Sequence, residues 1–346
     1  MAHTRAFARL ARAWIALTAV GAAGLSIVFH WEPAATWWVE LLRYVPFPVF
    51  LAPALVAVLA SVWQSARWRM LAAFSLLLVL TAIMGLSVSV GDKGSSVLRV
   101  MTFNAKTYLA KRTPEGFSRI AWQIAEHDPD VLVLQDATFD DEENIPPPIR
   151  AALGTRQIYL SGQYLVASRF PLRDCRSGWF SRDQLDNAQP ARPDYVRCTL
   201  IAHGLSIDLA TVHLVSPRRG LNAAREERAL GLADWRANLG IRLDQVNGLV
   251  RSFAGTGRAW IIAGDLNAPE HSPVVQRLLR LGLRDAFSAG GTGYGYTLGH
   301  ALRPGFSFLR VDHILISAGI GVRQCYVGGS DASEHRPVIA DLLLRP

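Results

Sequence analysis

Several apolar, strand-like segments of this sequence end in polar residues that can bind a metal ion or transfer a proton. These residues are Asn104, Asp136, His213, Asp265 with Asn267, and Asp312, and a further group, Glu334 with His335, stands just before the last such segment. A single polar residue after a strand is usually a turn former. Because ligand sites in α/β proteins lie at strand ends, six such groups predict that these side chains meet in one cleft.

The segments that lead to these residues alternate with segments of helical periodicity. Apolar runs rich in β-branched residues predict strands over 97–104, 130–135, 163–168, 195–202, 205–213, 258–264, 310–316 and 337–343. Apolar residues at helical spacing predict helices over 113–127, 221–253 and 273–281, and the acidic, proline-containing stretch 140–148 predicts a loop. The alternation indicates an α/β domain with two sheets packed between helices.

The first 90 residues differ from the rest in charge. They contain six Arg, no Lys and two Glu, and they include uncharged runs of 19, 23 and 22 residues. A helix of about 20 apolar residues is long enough to cross a bilayer. The three runs therefore predict transmembrane helices over 13–31, 44–65 and 70–90.

Positive charges beside these runs predict their orientation. Arg5, Arg9 and Arg12 precede the first run, and Arg67 and Arg69 separate the second from the third. Because Lys and Arg are enriched in cytoplasmic loops, we expect a cytoplasmic N-terminus and, after three crossings, an extracytoplasmic C-terminal domain. The chain would then consist of a multi-pass membrane anchor at 1–90, a linker at 91–96 and a soluble domain at 97–346.

Charge and cysteine content limit the classes of protein that this chain can represent. Residues 91–346 carry 30 basic against 26 acidic residues, which excludes a strongly basic domain that coats nucleic acid but permits anionic substrates. We therefore expect no stable nucleic-acid partner; the oligomeric state is left open. Three cysteines allow at most one disulfide, for which Cys175 with Cys198 is the candidate pair, and small buried thiols are the alternative.

Seven ordered segments resemble the motifs of the endonuclease/exonuclease/phosphatase superfamily, which includes nucleases like DNase I, neutral sphingomyelinases and inositol polyphosphate phosphatases. The segments are Thr102–Asn104, Asp130–Asp136, Ser168–Leu172, Val212–Leu214, Gly264–Asn267, Arg310–His313 and Ser333–Pro337. The resemblance covers about residues 97–346. It implies a four-layer α/β sandwich and a hydrolase of phosphoester bonds that depends on Mg²⁺, with Mn²⁺ as the alternative ion.

The sequence departs from the family pattern at two acidic positions. The family usually has Gln-Glu where this chain has Gln135-Asp136, and Ser-Asp-His where it has Ser333-Glu334-His335. One carboxylate has lost a methylene and the other has gained one. Either the two changes compensate each other around one oxygen-loving cation, or the affinity for the metal is weak.

The resemblance implies a role for each candidate on the metal and water side of the reaction. Asn104 and Asp136 are implied metal ligands, and Glu334 is a further ligand, direct or through water. Asp265 would orient or deprotonate the attacking water, and Asn267 would donate a hydrogen bond to the phosphoryl group.

The remaining candidates are implied to act on the phosphoryl group and the leaving group. His335 would donate to the phosphoryl oxygens while Asp312 orients it and keeps it charged. His213 would stabilise the transition state or protonate the leaving group. Arg218 and Arg219 would bind a second phosphate, since guanidinium groups suit phosphate geometry, or would lie in a solvated loop.

The position of the domain beside apolar spans predicts a substrate at the membrane surface. The three-span arrangement resembles that of bacterial membrane phosphatases of the superfamily that are associated with teicoplanin resistance, which implies a lipid-linked polyprenyl pyrophosphate. A phosphodiesterase similar to phospholipase C or sphingomyelinase is the next interpretation, and a membrane-tethered nuclease is the third. The non-enzymatic alternative is a tethered sensor or interaction domain that keeps the fold but has lost the chemistry.

Overall fold

The computed structural model describes residues 2–30, 36–180, 193–227, 231–253, 257–302 and 305–344. The chain forms two compact units, Met1–Ser87 and Val88–Pro346.

The N-terminal unit is helical. It contains α1 (Ala2–His30), α2 (Trp37–Leu42), α3 (Pro48–Ser61) and α4 (Ala66–Leu78), and α4 continues as a π-helix over Val79–Ile83. Pro48 begins α3, where its missing N–H costs nothing, and Pro53 lies inside that helix.

Two of these helices, not three, are long and apolar enough to cross a membrane. They are Arg5–His30 and Ala66–Ile83. The middle apolar helix, α3, has 14 residues and therefore measures only about 21 Å along its axis, against about 30 Å for a hydrocarbon core. The prediction of three spans is thus corrected; the end of the first predicted span, Trp31, lies outside the described residues.

The C-terminal unit contains two six-stranded sheets. Its strands are β1 (Val97–Asn104), β2 (Val131–Gln135), β3 (Gln157–Ser161), β4 (Tyr164–Ser168), β5 (Leu172–Gly178), β6 (Tyr195–Ala202), β7 (Leu205–His213), β8 (Ala259–Asp265), β9 (Leu283–Asp285), β10 (Asp312–Ser317), β11 (Gly321–Val327) and β12 (Val338–Leu343). One sheet has the order β11-β12-β1-β2-β4-β3 and the other β9-β10-β8-β7-β6-β5. Two-residue strands at Ser87–Val88 and Thr292–Gly293 lie outside these sheets.

Helices flank the two sheets. They are α5 (Thr107–Ala110), α6 (Gly116–His127), α7 (Pro147–Leu153), α8 (Arg218–Glu226), α9 (Gly231–Phe253), α10 (Pro273–Leu279) and α11 (Ala286–Gly290). The predicted helix over 221–253 is two helices, with residues 228–230 outside the described part. The α/β class with two mixed sheets is confirmed.

Each sheet has one parallel pair at its centre, and this pair positions the polar strand ends. In the first sheet β1 runs parallel to β2, with Asn104 opposite Gln135. In the second sheet β7 runs parallel to β8, with His213 opposite Asp265. Because the carboxyl ends of parallel strands meet at one edge, each sheet places two polar residues side by side at that edge.

The core explains why these strands are so apolar. Leu98 and Val100 of β1 pack with Leu209 and Ile261 of the other sheet in one buried cluster, so one face of each sheet meets the other. The alternate residues of β1, Met101 and Phe103, pack in a second buried cluster with residues of α6 and α7. Successive side chains of a strand point to opposite faces, so β1 is buried on both sides and reads as a continuous apolar run.

Candidate active site

Asp265 lies at the centre of the polar strand ends. Its Oδ2 accepts a hydrogen bond of 2.9 Å from Asn104 Nδ2, which joins the two sheets at this edge. Its Oδ1 accepts from the backbone N–H of Asn267 at 2.8 Å. The carboxylate therefore has a fixed orientation at the end of β8, because both oxygens are held.

His335 and Asp312 form a buried pair next to Asp265. His335 Nδ1 lies 2.9 Å from Asp312 Oδ2 and 3.8 Å from Asp265 Oδ2. Asp312 begins β10 directly opposite Asp265, because β10 pairs antiparallel with β8. The sheet register thus places two carboxylates beside one imidazole.

Burial and charge set the protonation of this group. Burial raises the pKa of Asp265, and the neighbouring Asp312 raises it further because two carboxylates repel each other. Burial alone would lower the pKa of His335, but the carboxylates of Asp312 and Asp265 outweigh it and raise the pKa. The site therefore favours a charged imidazole between the two acids.

His213 and Asp136 lie at the more exposed side of the same cluster. His213 Nε2 lies 3.5 Å from Asp265 Oδ2, and His213 Nδ1 lies 3.7 Å from Asp136 Oδ1. Gln163 Oε1 is 2.8 Å from His213 Nδ1 and fixes the ring. Asp136 adopts φ of 50°, a left-handed conformation that Asp tolerates better than most residues.

Buried oxygen atoms without partners mark where a cation would fit. Among the described residues, Asn104 Oδ1 and Asp312 Oδ1 are buried and have no hydrogen-bond partner. Asp265, Asp312 and His335 each offer a ligand atom within 4.8 Å of the others. Oxygen-rich donor sets suit hard divalent cations, and unpaired buried oxygens are costly unless something satisfies them. The residues present therefore fit a Mg²⁺-type ion.

Asn267 is held by its neighbours at the end of β8. Its Nδ2 donates to Leu214 O at 2.8 Å, and its backbone φ is 49°. Arg242, a buried residue of α9, donates from Nη1 to Asn267 O at 3.2 Å. The sequence patterns single out Asn267 but not Arg242, because a positive residue on a long helix is normally exposed.

Glu334 contacts two cations. Its Oε2 accepts a hydrogen bond of 2.8 Å from Lys106 Nζ and lies 3.3 Å from Arg218 Nη2. The role of Glu334 as a metal ligand stays a prediction, and in the structure its carboxylate contacts Lys106 and Arg218. Arg219 is exposed beside Arg218 at the start of α8.

Sequence reasoning gave no role to three residues of this region, of which only Ser333 lies in a motif that it identified. Gln163 holds His213, Lys106 holds Glu334, and Ser333 donates from Oγ to Asn104 O at 2.8 Å. Lys106 could have been found from its position two residues after Asn104. Gln163 carries no such signal, because it lies between two strands far from every other site residue in sequence.

His313 takes no part in the cluster, as its place beside Asp312 on a strand predicts. Its Nδ1 is 2.8 Å from Asp285 Oδ2 and its Nε2 is 2.9 Å from Ala268 O. Arg310 completes this buried network with ion pairs to Asp285 and Glu270. The network is structural and supports β10 from the side opposite the cluster.

The known proteins to which this chain is similar agree with the geometry of the site. The profile of the Endonuclease/Exonuclease/phosphatase family matches residues 101–335. None of the curated proteins matches this sequence.

Several solved structures share the fold. A protein from Beutenbergia cavernae titled endonuclease/exonuclease/phosphatase is 19% identical, with 72% of each chain covered and a TM-score of 0.54. Mannosyl-6-phosphatase from Bacteroides thetaiotaomicron is 15% identical, with 71% of this chain and 100% of that chain covered and a TM-score of 0.53. An AP endonuclease from Archaeoglobus fulgidus is 16% identical, with 70% and 98% covered and a TM-score of 0.51. At these identities the likeness concerns the fold alone.

Proposed function

The chain belongs to the endonuclease/exonuclease/phosphatase family and hydrolyses phosphoester bonds, and from this premise we propose that its substrate is a lipid-linked phosphate such as a polyprenyl pyrophosphate. One observation carries the proposal. The hydrolase unit begins at Val88, five residues after the end of an apolar helix that is long enough to cross a membrane, Ala66–Ile83. A hydrolase tethered so closely to a membrane-spanning helix meets substrates at the bilayer surface.

The residues of the cluster have the chemistry that phosphoester hydrolysis needs. Asp265 orients a water molecule and accepts its proton, since both of its oxygens are held in place. His335, kept charged by Asp312, donates a hydrogen bond to a phosphoryl oxygen. His213, the more exposed imidazole, donates a proton to the leaving oxygen.

We further propose that a divalent cation, Mg²⁺ or Mn²⁺, is held by Asn104 and Asp136, with Asp312 or Asp265 beside them. The support is the pair of unpartnered buried oxygens on Asn104 and Asp312. When bound, such an ion neutralises charge on the phosphoryl oxygens and lowers the pKa of a coordinated water.

The test is a comparison of substrates with the full chain purified in detergent. We expect Mg²⁺-dependent phosphate release from polyprenyl pyrophosphate to exceed release of the phosphorylated headgroup from phospholipid or sphingomyelin. We also expect it to exceed nicking of plasmid DNA per enzyme, and all activity to stop in EDTA. Faster cleavage of DNA than of every lipid would overturn the lipid proposal in favour of a nuclease. A complete lack of hydrolysis would favour a tethered binding domain.

We propose that the hydrolase unit works outside the cytoplasm. Two crossings, by Arg5–His30 and Ala66–Ile83, would return the chain to the side of its N-terminus, so the number of apolar helices does not support this location. The support is a disulfide between Cys175 of β5 and Cys198 of β6, because structural disulfides persist in oxidising compartments. Cys325 is a buried free thiol.

A fusion of alkaline phosphatase after Pro346 tests this location, since that enzyme is active only where its own disulfides form. We expect high phosphatase activity from this fusion and no fluorescence from the matched fusion with a cytoplasmic fluorescent reporter. The reverse pattern would place the hydrolase in the cytoplasm and would leave the Cys175–Cys198 disulfide without a suitable compartment.

A further inference from the structure

We propose that Lys106 and Arg218 bind a second phosphate group of the substrate, beside the reacting one, and that Glu334 occupies this subsite until the substrate arrives. The inference deepens the proposed function and rests on it. It assigns a ligand to two cations that the hydrolytic cluster does not use.

The geometry of the three side chains carries the proposal. One carboxylate oxygen, Glu334 Oε2, lies 2.8 Å from Lys106 Nζ and 3.3 Å from Arg218 Nη2. The two cations come from different parts of the fold, since Lys106 precedes α5 and Arg218 begins α8. An anionic oxygen shared by an ammonium and a guanidinium is the arrangement in which a phosphate oxygen is bound.

The subsite adjoins the residues of the hydrolytic cluster. Glu334 directly precedes His335, and Lys106 follows Asn104 by two residues. Lys106 Nζ donates to Glu334 Oε2 at 2.8 Å, and Ser333 Oγ donates to Asn104 O at 2.8 Å, so the segments that contain Lys106 and His335 are in contact. A phosphate on Lys106 would therefore be a neighbour of a phosphoryl group on His335.

The structure leaves room for an added group on the Lys106 side of the subsite. A cavity of about 310 Å³ is lined by Lys106, Glu334, Ser333 and His300, among others, whereas Arg218 does not line it. Lys106 has φ of 43°, a left-handed conformation that is uncommon for a residue with a long side chain. Such conformations are retained where the surrounding structure holds them, and they cluster at ligand sites.

The strength of the existing ion pairs permits exchange. The Arg218 side chain is 57% exposed and the Glu334 side chain 29% exposed, so their pair is weak and solvated, whereas the Lys106 side chain, at 11% exposed, forms the stronger pair with Glu334. A phosphate carries more negative charge than a carboxylate and offers more acceptor oxygens. It therefore competes with the Glu334 carboxylate for both cations, and the displaced carboxylate returns when the product leaves.

This arrangement favours substrates with two adjacent phosphates. A diphosphate places one phosphorus at the cluster and the next on Lys106 and Arg218. A simple monoester leaves both cations paired with Glu334. The longer side chain of Glu334, compared with the Asp usual in the family, supplies the reach to both cations.

Calorimetric binding to the full chain in detergent and EDTA tests the subsite without hydrolysis. We expect inorganic pyrophosphate to bind about tenfold more tightly than inorganic phosphate. Lys106→Met and Arg218→Ala should each remove most of this preference, whereas Glu334→Gln should strengthen pyrophosphate binding because the competing carboxylate is neutral. Lys111→Met, at an exposed lysine five residues further along, is the matched control and should leave the preference unchanged.

Two results would overturn the subsite. One is equal affinity of the unchanged protein for the two anions. The other is an Arg218→Ala variant that binds phosphate and pyrophosphate more weakly by the same factor. Arg218 would then contact the reacting phosphate and not a second one. Arg218 is exposed, so this variant remains informative even if the more buried Lys106→Met fails to fold. Because binding is measured without turnover, a protein that binds pyrophosphate but hydrolyses no lipid would refute the proposed function and not the subsite.

Discussion

Replacement of Asp265 by asparagine is expected to lower kcat for phosphoester hydrolysis by about 10³–10⁴-fold, the upper part of the range for a general base. Asparagine keeps the shape of the side chain, but its single oxygen can accept only one of the two hydrogen bonds that Asp265 accepts, from Asn104 Nδ2 and from the N–H of Asn267. It cannot accept a proton from water. The loss should therefore appear in kcat, measured with saturating Mg²⁺ and substrate, with little change in KM.

Stability separates this catalytic loss from misfolding. Asp265 is buried beside Asp312, and the repulsion and desolvation that raise its pKa also destabilise the folded state. Asp265→Asn removes this charge but also one accepted hydrogen bond, so we expect the two effects to offset each other and the thermal midpoint to change little. The control is Asp244→Asn at an exposed position of α9, which should change neither kcat nor the midpoint. An Asp265→Asn protein that keeps more than about a tenth of its kcat would remove Asp265 from the base role.

The strand ends could be predicted from the sequence because two independent patterns coincide there. Strands such as 97–104 and 205–213 are continuous apolar runs, and the structure gives them the same bounds. In these two strands the polar residue that stops the run is therefore also the last residue of the strand, whereas Asp312, predicted to end such a run, begins its strand. The rules of strand connection allow only a few strand orders in a sheet. The convergence of Asn104, His213 and Asp265 could therefore be expected as well.

Edge strands could not be predicted in the same way. β3 and β5 lie at the edges of their sheets and are only partly buried, so their residues show neither a continuous apolar run nor a regular alternation. β11 is likewise an edge strand with two exposed residues in its middle. These strands are stabilised by pairing with a neighbouring strand, and their own residues carry little information about that pairing.

The sequence also could not predict which side chains contact each other in the site. The order Ser333-Glu334-His335 suggests an acid at the metal, because it aligns with an acid in the family motif. The direction of that side chain depends on Lys106 and Arg218, which are distant in sequence and meet it only in the folded chain. The held orientation of His213 depends in the same way on Gln163.

Replacement of Asp312 by asparagine should reduce kcat by about 10³–10⁴-fold, as expected when the residue that orients a catalytic imidazole is neutralised. Asp312 Oδ2 accepts from His335 Nδ1 at 2.9 Å, and an amide at this position can present its N–H₂ group instead. The imidazole would then lose both its fixed orientation and its stabilised charge. Unlike loss of the general base, this change should also alter the response to pH.

The pKa of His335 determines the direction in which the pH–rate profile should move. The Asp312 carboxylate raises the pKa of His335 against the effect of burial, so its removal lets burial lower that pKa. The charged imidazole is then lost at a lower pH, and the basic limb of the kcat profile should move to lower pH in Asp312→Asn. Asp234→Asn, at an exposed position of α9, should keep the original profile. If Asp312→Asn lowered kcat by the same factor at every pH, Asp312 would orient the ring without controlling its charge, and the electrostatic role of His335 would have to be abandoned.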